Sequence, residues 1–193
     1  MLTPWGYEVE ALPDLITADE FNAATGGRYE SDPRLSSAIA AASSAIRRFC
    51  GWHVAPSMEC VYVTDGAPGD LWLPCVGLTA VESVEFDGAA QVVKGFNRLG
   101  RVRTDRPQPC GLGNVRVVYT AGYDAAAVPD LADVIKDRIL ASIANGYGVV
   151  SESAGGVSVS LAADAASDRG GTFVPPSVAR ALAPYRLVSA HVA

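Results

Sequence analysis

Between Met58 and Ala121 the apolar residues change their spacing, and that change limits the fold more than any other feature of the chain. The segments MECVYVTD, DLWLP, AVESVEFDG, QVVKGF, RLGRVRT and NVRVVYT alternate or carry β-branched residues, and Gly, Pro, Asp and Asn separate them. Period two over short runs broken by turn residues predicts a set of antiparallel strands. Asp87-Gly88 falls between two of the runs and suits a two-residue hairpin, since both residue types tolerate positive φ.

On either side of this block the period is helical. Thr17 and Glu20 have capping-box spacing ahead of a short helix that Gly26-Gly27 stops. In SDPRLSSAIAAASSAIRRFCGW, Ser31 or Asp32 can cap, Pro33 suits the first turn, and Leu35, Ile39, Ala42, Ile46 and Phe49 share a face. Gly51 follows where a left-handed C-cap belongs. Beyond the strands, Pro129 opens a long helix with an i+4 ladder of Leu131, Ile135, Ile139, Ile143 and Tyr147, widened by Val134 and Leu140 and closed by Asn145-Gly146. PPSVARALAPYRLV predicts a last short helix interrupted at Pro184.

Helices flank the strands without alternating with them, which excludes a doubly wound sheet and predicts an α+β fold. The expected architecture is a small helical bundle with an inserted antiparallel β-sheet or barrel-like subdomain. The bundle has two N-terminal helices, one long central helix and a short C-terminal helix. The expected boundaries are an extended arm over 1–16, a helical body over 17–56 with 122–193, and the β subdomain over 57–121. Residues 149–174, rich in Ser, Ala and Gly, read as a flexible loop in which VSVSL is the one strand-like piece.

The 193 residues are 49% hydrophobic, enough for a substantial core. No apolar run approaches the roughly 18 residues that span a bilayer. MLTPWGYEVEALPDL has neither a basic stretch nor a continuous apolar one, so a secretory signal is not expected and synthesis in the cytoplasm is. A net charge of −6 disfavours wrapping nucleic acid.

Chemistry is hard to find. Cys50, Cys60, Cys75 and Cys110 lack metal-ligand spacing and read as free thiols. GLGNVR begins like a dinucleotide fingerprint, but Arg116 takes the place of the third glycine and a strand follows instead of a helix. There is no GxSxG, and His53 reads as packed or solvated; a Cys50–His53 pair lacks an orienting Asn or Asp. Asp130, Asp133 and Asp137 share a helix face that, with Lys136 and Arg138 nearby, reads as solvated. The one concentrated charge is NRLGRVRTDRP, where Arg98, Arg101, Arg103 and Arg106 are opposed locally only by Asp105. On a strand Arg101 and Arg103 share a face. It is either a solvated edge or a contact for an acidic protein surface or passing nucleic acid. With no catalytic residues, cofactor or metal implied, the expectation is a structural subunit and not an enzyme.

Several pieces arrive in an order that resembles the head–tail connector, or head-to-tail adaptor, proteins of tailed phages. LITADEFNAATG followed by DPRLSSAIAAASSAIRRFCGW resembles their paired N-terminal helices, and LWLPCVGLTAVESVEFDG the start of their inserted sheet. VYTAGYDAAAVPDLADVIKDRILASIANGY is similar to their strand, AGY corner, proline and helix; VVSESAGGVSVSL and ALAPYR resemble their late loop and Tyr-Arg ending. The resemblance spans roughly residues 12 to 187. It implies a non-enzymatic, dodecameric ring in the virion neck, made in the host cytoplasm, beneath the portal protein and above the next neck, stopper or tail protein, with double-stranded DNA passing through its lumen. On that basis Arg98, Arg101, Arg103, Arg106, Tyr185 and Arg186 are candidate assembly residues, and Asp130, Asp133 and Asp137, or else the acidic N-terminal arm, candidates for the lumen. The alternatives are a stopper or tail terminator, usually β-barrels without a leading helical pair, and a small enzyme using Cys50 or His53.

Overall fold

A computed structural model describes residues 1–124, 128–144, 151–154, 157–160 and 176–187. The elements run β1 (Tyr7–Glu8), α1 (Ala18–Thr25), α2 (Leu35–Cys50), β2 (Met58–Gly66), β3 (Leu71–Trp72), β4 (Leu78–Phe86), β5 (Ala89–Ala90), β6 (Val93–Phe96), β7 (Arg101–Thr104) and β8 (Gly111–Ala121). They continue with α3 (Pro129–Ala144), β9 (Ser151–Ala154), β10 (Val157–Ser160), α4 (Pro176–Leu182) and a 3-10 turn at Ala183–Tyr185. The fold is α+β, and all strand pairs are antiparallel. The chain forms two compact units. One gathers Met1–Pro13, Cys50–Asp124 and the segment from Tyr185, and the other Asp14–Phe49 and Ala125–Pro184.

In the first unit β8 is the organising strand. It lies inside a five-stranded sheet of order β1-β2-β8-β4-β5, so both of its edges are hydrogen-bonded. Its inward residues Val115, Val117, Tyr119 and Ala121 are fully buried, which explains why this run carries alternating apolar residues and no proline. Each such large side chain contributes about 1.5–3 kcal/mol on burial. Asp87 and Gly88 adopt φ of 50° and 76°, turning β4 into β5 with Phe86 opposite Ala89 as the dipeptide required. A second sheet of order β3-β7-β6 buries Leu71 and Val102. The five-stranded sheet runs open from β1 to β5 and does not close into a barrel.

The expected N-terminal arm is a built-in piece of this unit. Thr3, Tyr7 and Val9 are buried and Trp5 is half-buried, a period of two that Pro4 and Gly6 conceal in the sequence. Gly6, at φ 86°, turns the chain so that Leu2 bridges Glu8, and Tyr7 pairs with Tyr62 of β2. The terminal ammonium donates to the Val9 carbonyl at 2.5 Å.

The second unit follows its helical signals closely. The Thr17 amide donates to Glu20 Oε2 at 2.7 Å and the Glu20 amide to Thr17 Oγ1 at 3.2 Å, completing the capping box, and Gly26 ends α1 in the left-handed region. Asp32, not Ser31, takes the Arg34 amide ahead of α2, and the regular helix begins only at Leu35. Leu35, Ile39, Ala42 and Ile46 are buried, as are Leu131, Ile135, Ile139 and Ile143 of α3. Ser43 is buried because its hydroxyl receives the Leu15 amide at 3.0 Å. Tyr147, Asn145-Gly146 and most of the expected loop 149–174 lie outside the described residues. The part of that loop described is a hairpin of β9 and β10, with Ser151 opposite Ser160; SESA is therefore a strand as well as VSVS.

Candidate assembly surface

The AGY corner after β8 is a packed joint. A Cβ on Gly122, at φ 120°, would lie 2.4 Å from the Pro56 carbonyl oxygen and 2.9 Å from His53 Nε2. The Tyr123 amide donates to the Val54 carbonyl at 2.8 Å. The Tyr123 ring packs edge-on to Trp52 and Tyr185, and Trp52 Nε1 donates to the Tyr185 carbonyl at 2.7 Å. Strand, corner and C-terminal turn are thereby tied within one unit.

His53 is fully buried at this joint and its polar atoms are engaged. Nε2 lies 2.9 Å from the Ala121 carbonyl, which can only accept, so Nε2 carries the proton. Nδ1 then accepts from the Tyr7 hydroxyl at 2.8 Å, and that hydroxyl accepts in turn from the His53 amide at 3.0 Å. This closed set leaves no ring nitrogen for general-base work. Cys50 is buried too, and desolvation pushes its thiol up to about 12 against a small opposing pull from Arg186. The Cys50–His53 pair thus lacks both a free base and an accessible thiolate. Cys60 and Cys75 are buried with thiols likewise raised by desolvation, and Cys110 alone is exposed. The buried Tyr119 hydroxyl meets the Cys60 thiol and has no nitrogen or oxygen partner among the described residues. Among the described residues no group of three His, Cys, Asp or Glu could hold a metal ion, and no helix is long and apolar enough to cross a membrane. GLGNVR lies in β8, so no helix N-terminus faces a phosphate there.

Of the four arginines, Arg101 and Arg103 are brought together, and by a carboxylate other than the local Asp105. Arg101 and Arg103 project from the same face of β7, and Asp70, from the turn before β3, pairs with both. Asp105 instead accepts the Val92 amide at 3.0 Å. Arg101 lies over the Trp72 ring at 5.7 Å, and Trp72 is its register partner across the β3–β7 pair. The two guanidiniums hold the Asp70 carboxyl below the ordinary aspartate range, Arg101 most. Arg98 and Arg106 are exposed; the Arg98 carbonyl receives the Gly77 and Leu78 amides, and the Arg106 carbonyl the Thr104 hydroxyl. Sequence reading missed Asp70 and Trp72, which lie about thirty residues away and are joined to β7 by pairing alone; the tryptophan in DLWLP was the available signal.

Asp130, Asp133 and Asp137 are exposed on one face of α3, and Asp133 pairs with Lys136 at 3.2 Å. Arg138, read from the sequence as a neighbour of that solvated face, is buried, because it falls seven residues after Leu131 and three after Ile135 on the inward stripe. Tyr185 is half-buried in the aromatic joint and Arg186 is exposed. The acidic and arginine faces belong to different compact units.

No protein-family model and no curated protein matches this chain. Among solved structures, a chain from the neck of a native GTA particle, computed with C12 symmetry, is similar at 19% identity with a TM-score of 0.46, covering 67% of this chain and 81% of that one.

Proposed function

We propose that the chain is a structural virion protein, a head–tail connector subunit that forms a ring beneath the portal of a tailed phage or phage-like particle. The observation that carries this reading is the order of motifs over roughly residues 12 to 187: paired helices, inserted sheet, AGY corner, proline-led helix, SES hairpin and Tyr-Arg ending. Two features of the site support a structural role. The histidine and cysteine that an enzyme would use are locked in packing. The exposed Trp72, Arg101 and Arg103 belong to the residue types that anchor protein interfaces.

In this reading Arg98, Arg101, Arg103, Arg106 and Arg186 serve assembly, and Tyr185 positions the Arg186 segment through its ring contacts. Asp130, Asp133 and Asp137 line the lumen, where negative charge keeps passing DNA from adhering. Portal above, a stopper or tail protein below, and transient double-stranded DNA are the partners, and the ring is a dodecamer. Electron microscopy of the purified protein, alone and with a portal ring, tests this. A closed ring on the portal axis is expected; a protein that stays monomeric and never binds a portal refutes it, and a lumen lined by the arginines refutes the assignment of faces.

A further inference from the structure

The outer face of the β3-β7-β6 sheet combines Trp72, Arg101 and Arg103, and the exposed Phe96 and Leu99 flank it. One carboxylate, Asp70, faces two guanidiniums, so the face keeps a positive charge. Arg103 is the more available of the two: its side chain is 66% exposed and touches Asp70 only through Nε at 3.4 Å. An Arg–Trp face of this kind calls for a carboxylate- and carbonyl-bearing partner.

The other unit carries the complement. An open groove of about 480 Å³ runs along α1 to the start of α2, lined among others by Asp19, Asn22, Gly26, Gly27 and Glu30. Asp19 and Glu30 form no ion pair with any described residue. A Cβ on Gly26 would meet nothing within 4 Å, so the groove is open there. The α3 aspartates compete as an acidic face, but Asp133 is already held by Lys136. The groove's two carboxylates have no cationic partner among the described residues, and the sheet face offers one.

We propose that the Arg–Trp face of one copy docks into the α1–α2 groove of a second copy, with Arg103 pairing with the exposed Asp19 and Glu30 carboxylates. This rests on the ring reading, because two different complementary patches on every protomer make a head-to-tail contact, the kind that closes rings. Both patches reside on each copy, so the contact needs no other partner.

The test is the mass distribution of the purified full chain, by native mass spectrometry and mass photometry, for five proteins: wild type, Arg103→Glu, Asp19→Arg with Glu30→Arg, both sets combined, and Arg103→Glu with Asp133→Arg and Asp137→Arg. All substituted side chains are exposed or peripheral, and circular dichroism checks that each protein folds; Arg103→Gln is the milder variant. Each single-sided change is expected to raise the concentration needed for assembly by at least about tenfold, and the combined groove swap to restore it. Intact assembly in both single-sided variants overturns the docking and leaves the ring standing. Restoration by the α3 swap overturns the groove as the acceptor. A wild type that stays monomeric at its highest soluble concentration and beside a portal overturns the ring reading itself.

Discussion

Replacing Tyr7 by Phe removes one oxygen and leaves the buried ring in place. That oxygen serves two groups of one residue, His53 Nδ1 at 2.8 Å and the His53 amide at 3.0 Å. Because His53 Nε2 is occupied by the Ala121 carbonyl, the ring cannot change tautomer to compensate without losing that bond. The change therefore strands a lone pair and an N–H where both residues are fully buried. Each orphaned group costs about 1–3 kcal/mol, so the expected loss is about 2–6 kcal/mol. For a chain of this size that lowers Tm by roughly 4–24 °C. Thermal and guanidinium unfolding, read by circular dichroism, measure it. Tyr62→Phe on the neighbouring strand is the control, since its half-buried hydroxyl makes no hydrogen bond among the described residues; it is expected to cost no more than about 0.5 kcal/mol. If Tyr7→Phe melts within a degree or two of Tyr62→Phe, the N-terminal hairpin is not latched through His53 and the reasoning fails.

Gly122→Ala meets both a positive φ and the Pro56 carbonyl at 2.4 Å, and is expected to lose at least about 3 kcal/mol. Gly26→Ala, at φ 66° with nothing within 4 Å, bears the backbone strain alone and is expected to lose about 1 kcal/mol; equal losses in urea unfolding would refute the clash. Thr17→Ala removes the cap and costs about 1 kcal/mol by the same measurement. Glu20, whose carboxyl the Thr17 hydrogen bonds hold below its ordinary 4.5, contributes fully above that value and loses its contribution as pH falls through the depressed one. The gap between wild type and Thr17→Ala therefore narrows on acidification, and a constant gap counts against the capping box. Iodoacetamide at mildly alkaline pH is expected to label Cys110 quickly in the native protein and all four cysteines only in denaturant, since Cys50 and Cys60 are pushed up to about 12; fast native labelling of a second cysteine contradicts the burial.

Local signals carried much of the fold. Thr17 with Glu20, Asp87-Gly88, the α2 and α3 apolar ladders and Pro129 each act within a few residues, so their physics is complete in the sequence. The N-terminal hairpin was illegible because Pro4 and Gly6 mask its period, and because burial of Tyr7 depends on His53, 46 residues away. The candidate surface divides the same way. The arginines could be named from one short stretch, whereas Asp70 and Trp72 reach them only through the register of β3 on β7.

By itself, then, the amino-acid order settled where helices and strands form, that the strands lie together between helices, and that no catalytic motif is spelled out. Tertiary structure decided which groups meet. It enclosed His53 between Tyr7 and Ala121, placed one carboxylate between two arginines, and turned Arg138 inward. The reason is one of range. Capping, turn and periodicity preferences are set by neighbours along the chain, while burial and pairing depend on which distant segments the sheet register and helix packing bring to the same place.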